Sequence, residues 1–180
     1  GAMKYKSKIP DITPDIWHLA PENPLTSALL AKTATEQNKK FFFDPGQCLP
    51  AFIGGTTNTV FSLKEILENS SGIFVNDYEW ELLANHLKVE SPFDFLKENQ
   101  FLVRTLGGKG VDLFYNGKHK NFEVVHTNKI VDPTGCGDSF RAGFLYAYTR
   151  KGLMNVFLHE TFSCICMCRK PGILPLFDNA

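Results

Sequence analysis

Short apolar runs separated by helix-like segments constrain the fold of this chain more than any other feature. Helical patterns lie between the runs, and the first begins at Pro24, a residue suited to a first helical turn, and continues to Ala34. Strands that alternate with helices predict a parallel sheet with helices on both faces, an α/β fold. The four predicted strands of this kind are Ile16–Leu19, Lys40–Asp44, Ile73–Val75 and Phe101–Leu106.

Capping and turn residues delimit the other elements. Ser62 and Glu65 have the spacing of a capping box. Asp77 is predicted to cap the helix Tyr78–Leu87, and Asn116-Gly117 favours a tight turn between two strands. The later elements are therefore predicted to be a β-hairpin of Val111–Tyr115 and Phe122–Val125, a helix from Gly135 to Arg150 ended by Gly152, and a last helix over Met154–Cys168.

Composition indicates a water-soluble globular domain. The chain has 180 residues, of which 43% are hydrophobic and 21% charged, enough for one domain with a substantial core. Lys+Arg and Asp+Glu both number 19 and no basic block occurs, which argues against a nucleic-acid partner. No apolar run has membrane-spanning length and no signal peptide is visible, which argues against a membrane partner. We expect one core over residues 15–180 and a tail over 1–14, in which Gly1-Ala2 has the form of a tag-cleavage remnant.

The cysteines indicate a reducing compartment. There are five, an odd number, without a secretory signal, so we expect free thiols and a cytoplasmic protein. Three of them, Cys164, Cys166 and Cys168, are close enough together to suggest a metal site. On a helix, however, only the first and third share a face, and no histidine accompanies them. Buried thiols that pack as small hydrophobic groups are therefore the favoured interpretation.

The stretch Asp132–Leu145 has the strongest chemical pattern. Gly135 and Gly137 flank Cys136, and Asp138 follows directly. Successive backbone N–H groups at a helix start form a phosphate-sized nest. Phosphoryl transfer needs such donors around the phosphate and a base for the attacking hydroxyl, a role open to Asp138. The alternative is a glycine-rich turn with an acid in the first helical turn, which the helix dipole favours.

Two weaker motifs follow other predicted strands. Asn76 and Glu79 are three residues apart at a helix start, and taken alone they are explained by a capped helix with acids in its first turn. The loop Thr105–Gly110 contains three glycines, which allow a nucleotide to approach the backbone but also suit an ordinary turn. Ligands of open α/β sheets bind beyond the carboxyl ends of the strands, where these motifs are expected.

The three motifs, in this order, resemble those of the ribokinase-like (PfkB) family of sugar and nucleoside kinases. The resemblance extends from about Asp15 to Gly172, and Asp132–Leu145 is similar to the family's C-terminal signature. Asp44-Pro45-Gly46-Gln47 and the segment Ser139–Gly143 are most similar to bacterial adenosine and nucleoside kinases. The resemblance implies a ribokinase-like, three-layer α/β/α fold with a mostly parallel sheet.

The resemblance also implies roles for individual residues. Asp138 would be the catalytic base, with an anion hole formed by Gly135, Cys136 and Gly137. Mg²⁺ and phosphate would be organised, partly through water, by Asn76 and Glu79. Arg141, one helical turn after Asp138, either assists the phosphate or is a solvated helix residue. The ATP loop would consist of Thr105, Gly107, Gly108 and Gly110, and a monovalent cation such as K⁺ would be held by Asp132 and Thr134.

The resemblance maps onto the middle and C-terminal parts of the family. The N-terminal strands, the substrate-binding Gly-Gly signature and the β-sheet lid have no counterpart in this sequence. In relatives, closure of the lid excludes water and completes the site. Strands that would pair with this part become open sheet edges, so we expect a homo-oligomer or a poorly stable chain.

Two functional hypotheses follow. The first is ATP- and Mg²⁺-dependent phosphoryl transfer to a hydroxyl of a sugar or nucleoside. The alternative is a non-catalytic nucleotide-binding remnant, or one half of a split kinase whose N-terminal half is encoded separately. A dinucleotide-binding oxidoreductase is disfavoured, because no Gly-x-Gly-x-x-Gly follows the first strand.

Overall fold

The structure is a computed structural model that describes residues 13–55, 60–123 and 135–158. In these ranges α-helices separate the first four strands, as predicted, and the last three strands follow one another with no α-helix between them. Short 3₁₀ turns connect some of them, at Gly46–Cys48, Pro92–Asp94 and Gly107–Lys109. The elements in chain order are β1 (Ile16–Leu19), α1 (Pro24–Glu36), β2 (Lys40–Phe43), α2 (Leu49–Ile53), α3 (Leu63–Asn69), β3 (Gly72–Asn76), α4 (Asp77–Leu87), β4 (Phe101–Thr105), β5 (Val111–Tyr115), β6 (Lys118–Phe122) and α5 (Cys136–Leu158).

The strands form one six-stranded sheet in the order β1-β2-β3-β4-β5-β6. The first four strands pair in parallel, which confirms the predicted parallel sheet. Their carboxyl ends therefore lie along one edge of the sheet. There the register places Asn76, the last residue of β3, opposite Thr105, the last residue of β4.

Contacts divide the chain into two compact units. The first contains the described residues of Gly1–Gly107 together with Asp112–Lys120, and thus most of the sheet and helices α1 to α4. The second contains Gly108–Val111 and the described residues of Asn121–Ala180, with helix α5.

The core of the first unit lies between helices α1 to α4 and one face of the sheet. Alternate residues of the strands point to this face. Alanines line the buried side of α1, and their small side chains let this helix pack close to the sheet. Burial of each large apolar side chain stabilises the fold by about 1.5–3 kcal/mol. The core includes Trp17, Leu19, Phe41, Phe43, Ile73, Val75 and Leu102 from the strands, and Ala28, Ala31, Ala34, Leu63, Ile66, Leu67, Trp80 and Leu83 from the helices.

The opposite sheet face carries a cluster of aromatic rings. The Phe42 and Phe101 centroids are 5.2 Å apart, and those of Phe74 and Phe101 are 5.9 Å apart. Gly72 pairs with Phe42 on one side and with Phe101 on the other. A Cβ atom on Gly72 would overlap the Phe101 ring, so this strand position requires glycine.

Two predicted element boundaries are wrong. Helix α4 is capped by Asn76, and Asp77 is its first residue. The second hairpin strand begins at Lys118, four residues before the predicted start at Phe122, because the Asn116-Gly117 turn, with φ of 46° and 72°, returns the chain at once. The last two residues of the predicted strand lie outside the described residues. Strand β6 lies at the sheet edge and buries only Phe122, so its polar residues conceal it in the sequence.

Helix α5 contributes buried aromatic side chains to the second unit. Phe140 and Phe144 are buried, and their ring centroids are 6.3 Å apart. At Gly152 the backbone leaves helical geometry, with φ 72° and ψ 162°, where the sequence predicted a helix end. Most of the predicted last helix and its three cysteines lie outside the described residues. In the part of the chain that the structure describes, no helix is both long and apolar enough to cross a membrane.

Candidate functional site

The glycine-rich turn begins helix α5. Gly135 has φ 81°, a conformation that glycine adopts at little cost. Its carbonyl accepts the first helical hydrogen bond, from the Ser139 N–H at 2.9 Å. The backbone N–H groups of a first helical turn have no acceptor within their own helix. Such a turn leaves backbone donors at the start of α5, which is the arrangement that binds anions at helix N-termini.

Asp138 and Arg141 form an ion pair on this turn. Arg141 Nη1 donates to Asp138 Oδ1 at 3.0 Å, and the Asp138 side chain is 83% exposed. The Arg141 side chain is only 21% exposed. Its Nη1 would lie 3.0 Å from a Cβ atom placed on Gly137, so the guanidinium group lies against the glycine turn. Backbone donors, a carboxylate and a cation thus share one turn.

Asn76 and Glu79 bind each other in a capping box at the start of α4. The Glu79 N–H donates to Asn76 Oδ1 at 2.7 Å, and the Asn76 N–H donates to Glu79 Oε2 at 2.9 Å. Ser62 and Glu65 form the same motif on α3, where both side chains lie at the surface. The two boxes differ in burial, since Glu79 is only 7% exposed.

Glu79 is a buried carboxylate at the carboxyl end of β3. Its capping bond engages Oε2 and leaves Oε1 outside the capping box. Among the described residues, Glu79 takes part in no ion pair, although a buried charge usually has a countercharge. The helix N-terminus partly compensates this charge, and the carboxylate is suited to bind a cation.

The parallel register brings two predicted motifs together. Asn76 and Thr105 are paired residues at the ends of neighbouring strands. Asp44 follows β2 at the same sheet edge, is 1% exposed, and donates its N–H to the Leu19 carbonyl at 2.9 Å. The sequence analysis placed Asp44 at the end of a predicted strand and in a family-like segment, and did not predict a buried carboxylate there. Its position directly after three phenylalanines was the available signal for a buried carboxylate, which is rare in proteins.

The glycine loop after β4 is exposed and open. Gly107 has φ 56°, and no heavy atom lies within 4 Å of a Cβ atom placed on Gly107 or Gly108. Gly110 has φ 98°, and its Cβ position is occupied by the Phe122 carbonyl oxygen. Lys109 is exposed. Two of the glycines therefore leave room for a ligand, and the third is required by local packing.

The predicted site residues are divided between the two units and a segment outside the described residues. Asp132 and Thr134, predicted to hold a monovalent cation, lie outside the described residues. The α5 turn belongs to the second unit, whereas Asn76, Glu79 and Thr105 belong to the first. Within the described ranges, no group of three or more His, Cys, Asp and Glu side chains is arranged to hold a metal ion.

Glu65 and Cys48 have shifted pKa values. Hydrogen bonds from the Ser62 side chain and backbone lower the pKa of Glu65. Burial, followed by the charge of Glu22, raises the pKa of the Cys48 thiol. Within the described residues, Cys48 and Cys136 form no disulfide bond.

Known proteins with similar sequences include several nucleoside kinases. The chain is 35% identical over 152 residues to a nucleoside kinase of Methanocaldococcus jannaschii, an alignment that covers 83% of this chain and 48% of the relative. The crystal structure of a nucleoside kinase from that organism, described as an archaeal member of the ribokinase family, matches with a TM-score of 0.69. The match has 35% identity and covers 79% of this chain and 45% of the other.

A second solved structure is the nucleoside kinase of Burkholderia thailandensis in complex with ADP-inosine. It matches with a TM-score of 0.66 and 30% identity, over 75% of this chain and 40% of the other. The chain thus spans about half the length of the relatives it matches. These structures confirm the ribokinase-like α/β fold. Residues 15–157 match the pfkB family carbohydrate kinase model, and the chain therefore belongs to the PfkB family.

Proposed function

We propose that this chain carries the phosphate- and nucleotide-binding part of a kinase that transfers the γ-phosphoryl group of ATP to a hydroxyl of a nucleoside or sugar. The turn at the start of α5 is the observation that carries the proposal. It combines helix-start amides, the Asp138 carboxylate and the Arg141 guanidinium. These groups match the needs of phosphoryl transfer, which are charge stabilisation and a group that orients the nucleophile.

In this proposal Asp138 accepts the proton of the attacking hydroxyl. The backbone amides of Gly135, Cys136 and Gly137 stabilise charge on the transferred phosphoryl group. Asp138 is well placed for such a role, because its side chain is 83% exposed and accessible to a substrate. Arg141 adds positive charge beside the same turn and holds the carboxylate in position.

Mg²⁺ is assigned to Asn76 and Glu79. This ion takes oxygen ligands, retains several waters, and often needs only one or two carboxylates besides phosphate oxygens. Glu79 supplies a buried carboxylate whose Oε1 is outside the capping box, and Asn76 supplies an amide beside it. The donor set therefore fits a water-rich magnesium site. The bound ion would neutralise phosphate charge.

ATP is assigned to the loop after β4. Thr105 lies beside Asn76, and the space around Gly107 and Gly108 is open, which supports nucleotide binding there. Gly110 maintains the loop by its close approach to Phe122. The K⁺ site at Asp132 and Thr134 and a cytoplasmic location remain part of the proposal. Nucleosides are the first acceptors to consider, because the relatives are nucleoside kinases.

The test is ADP release from ATP–Mg²⁺ in the presence of inosine, cytidine, adenosine or ribose. Acceptor-dependent release that is lost in Asp138→Asn would support the proposal, since the amide keeps the shape but cannot act as base. Asp15→Asn, a change at an exposed carboxylate that pairs only loosely with Lys39 at 3.8 Å, is the matched control. Equal turnover by Asp138→Asn and the parent chain would refute the assigned base.

The same groups also suit a second candidate, in which the chain is a nucleotide-binding part only. The chain spans 48% of the length of the Methanocaldococcus relative. It would then bind nucleotide without transferring phosphate, or would act with a separately encoded N-terminal half. Calorimetric binding of ATP–Mg²⁺ without turnover for any acceptor would support this candidate. Absence of both binding and turnover would contradict both.

A further inference from the structure

Asp112 is a buried carboxylate that joins three neighbouring strands. It lies on β5, and its side chain is 5% exposed. Arg104 on β4 donates to Asp112 Oδ2 through Nη2 at 2.6 Å and through Nε at 3.2 Å. His119 on β6 places Nε2 2.9 Å from Asp112 Oδ1. Each carboxylate oxygen therefore has its own partner on a different strand.

The Phe114 ring contacts both partners of Asp112. The His119 ring stacks on Phe114, with centroids 4.6 Å apart and an interplanar angle of 13°. The Arg104 guanidinium carbon is 5.6 Å from the Phe114 centroid, within the range of a cation–π contact. Arg104 is thus held by a carboxylate and by a ring, which restricts its orientation.

This network lies at the base of the glycine loop. Arg104 directly precedes Thr105, which is paired with Asn76. The Gly107–Lys109 turn follows, and β5 then brings the chain back to Asp112. Because the Cβ positions of Gly107 and Gly108 have no neighbours within 4 Å, packing at these glycines does not define the loop's position. Gly110 packs against Phe122 at the far end of the loop, and the position of the first part depends on the end of β4, which the ion pair between Arg104 and Asp112 connects to β5.

We propose that Asp112 is a positioning residue for nucleotide binding, which holds Arg104 and thereby fixes Thr105 and the first part of the glycine loop. The inference rests on the proposed function, because it assigns ATP to this loop. Buried ion pairs add little net stability compared with apolar residues of similar volume, so the contribution that we assign to this pair is positional. The network should therefore affect the affinity for ATP more than the turnover rate.

The test compares two variants of the full chain. Asp112→Asn removes the charge and keeps the volume. The double variant Arg104→Met with Asp112→Leu replaces the pair by apolar groups, which commonly preserves stability. We expect both to weaken ATP–Mg²⁺ binding, measured by calorimetry, by about tenfold, because Thr105 and the loop would no longer be held in one binding geometry. Where turnover is measurable, KM for ATP should rise with little change in kcat. The control is Lys64→Ala with Glu68→Ala, which removes an exposed ion pair.

Hydrogen exchange of the backbone amides from Thr105 to Lys109 provides a second measurement that does not depend on ATP. Faster exchange in the double variant, at an unchanged melting temperature, would support the positioning role. Unchanged exchange and unchanged ATP affinity in a folded double variant would overturn it. If the parent chain binds no ATP, the proposed function fails. The exchange rates then decide separately whether the network holds the loop.

Discussion

Gly72→Ala tests whether close packing across the sheet requires glycine in β3. The Phe101 ring lies over Gly72, and a Cβ atom there would overlap three of its carbon atoms. Phe101 is 1% exposed, and its ring packs against Phe42 at 5.2 Å and Phe74 at 5.9 Å. The ring therefore has no open space to move into, and the substitution must displace a packed cluster.

The expected cost follows from two opposing effects. Overpacking of a core costs about 1–3 kcal/mol, and overlap with three atoms of one ring places this site near the upper value. Alanine is favoured over glycine in a strand by about 0.5–1 kcal/mol, which offsets part of the cost. We therefore expect a net destabilisation of about 2 kcal/mol, equivalent to a fall in melting temperature of about 4–8 °C.

Thermal unfolding followed by circular dichroism measures this change. Gly108→Ala is the matched control, since no atom lies within 4 Å of its Cβ position, and its stability should change by less than about 0.5 kcal/mol. Phe101→Leu should relieve part of the overlap, so that Gly72→Ala with Phe101→Leu is less destabilised than the sum of the single changes. Equal melting temperatures for Gly72→Ala and Gly108→Ala, or strict additivity in the double variant, would refute the reasoning.

Three further predictions concern the site, a thiol and association. Glu79→Gln should change the free energy of unfolding by less than about 0.5 kcal/mol, because glutamine also completes a capping box, but it should remove Mg²⁺-dependent turnover. Glu65→Gln, in the other capping box, should leave turnover unchanged. Equal effects of the two variants on turnover would contradict the metal role of Glu79. Since burial and the Glu22 charge raise the pKa of Cys48, its alkylation by iodoacetamide near pH 8.5 should be slower than that of a free thiol and faster in Glu22→Gln. The stability that the protonated thiol contributes is fully present below its pKa in the unfolded chain and is lost as pH rises through the raised pKa of the folded chain. An alkylation rate equal to that of free cysteine would exclude the raised pKa. Unpaired edge strands should make the chain a homo-oligomer by light scattering after size-exclusion chromatography, or give it a low melting temperature. A stable monomer would contradict this expectation.

Much of the fold was predictable because buried parallel strands are continuous apolar runs. Lys40–Phe43 and Phe101–Thr105 were therefore found with nearly correct ends. Lys118–Phe122 was missed, since an edge strand with one buried residue lacks such a run. The cap of α4 was assigned to Asp77 instead of Asn76 because both residue types cap helices well, and only the end of β3 decides between them.

The sequence by itself determined the order of the first four strands, the family, and the position of the glycine-rich turn that contains Asp138. These features depend on local pattern and residue chemistry, which the chain carries in any conformation. Only the tertiary structure decided that Asn76 lies beside Thr105, that Glu79 and Asp44 are buried, and that Asp112 joins Arg104 to His119. The reason is that strand register and sheet packing bring together residues from different elements, and no local pattern records which residues will become neighbours.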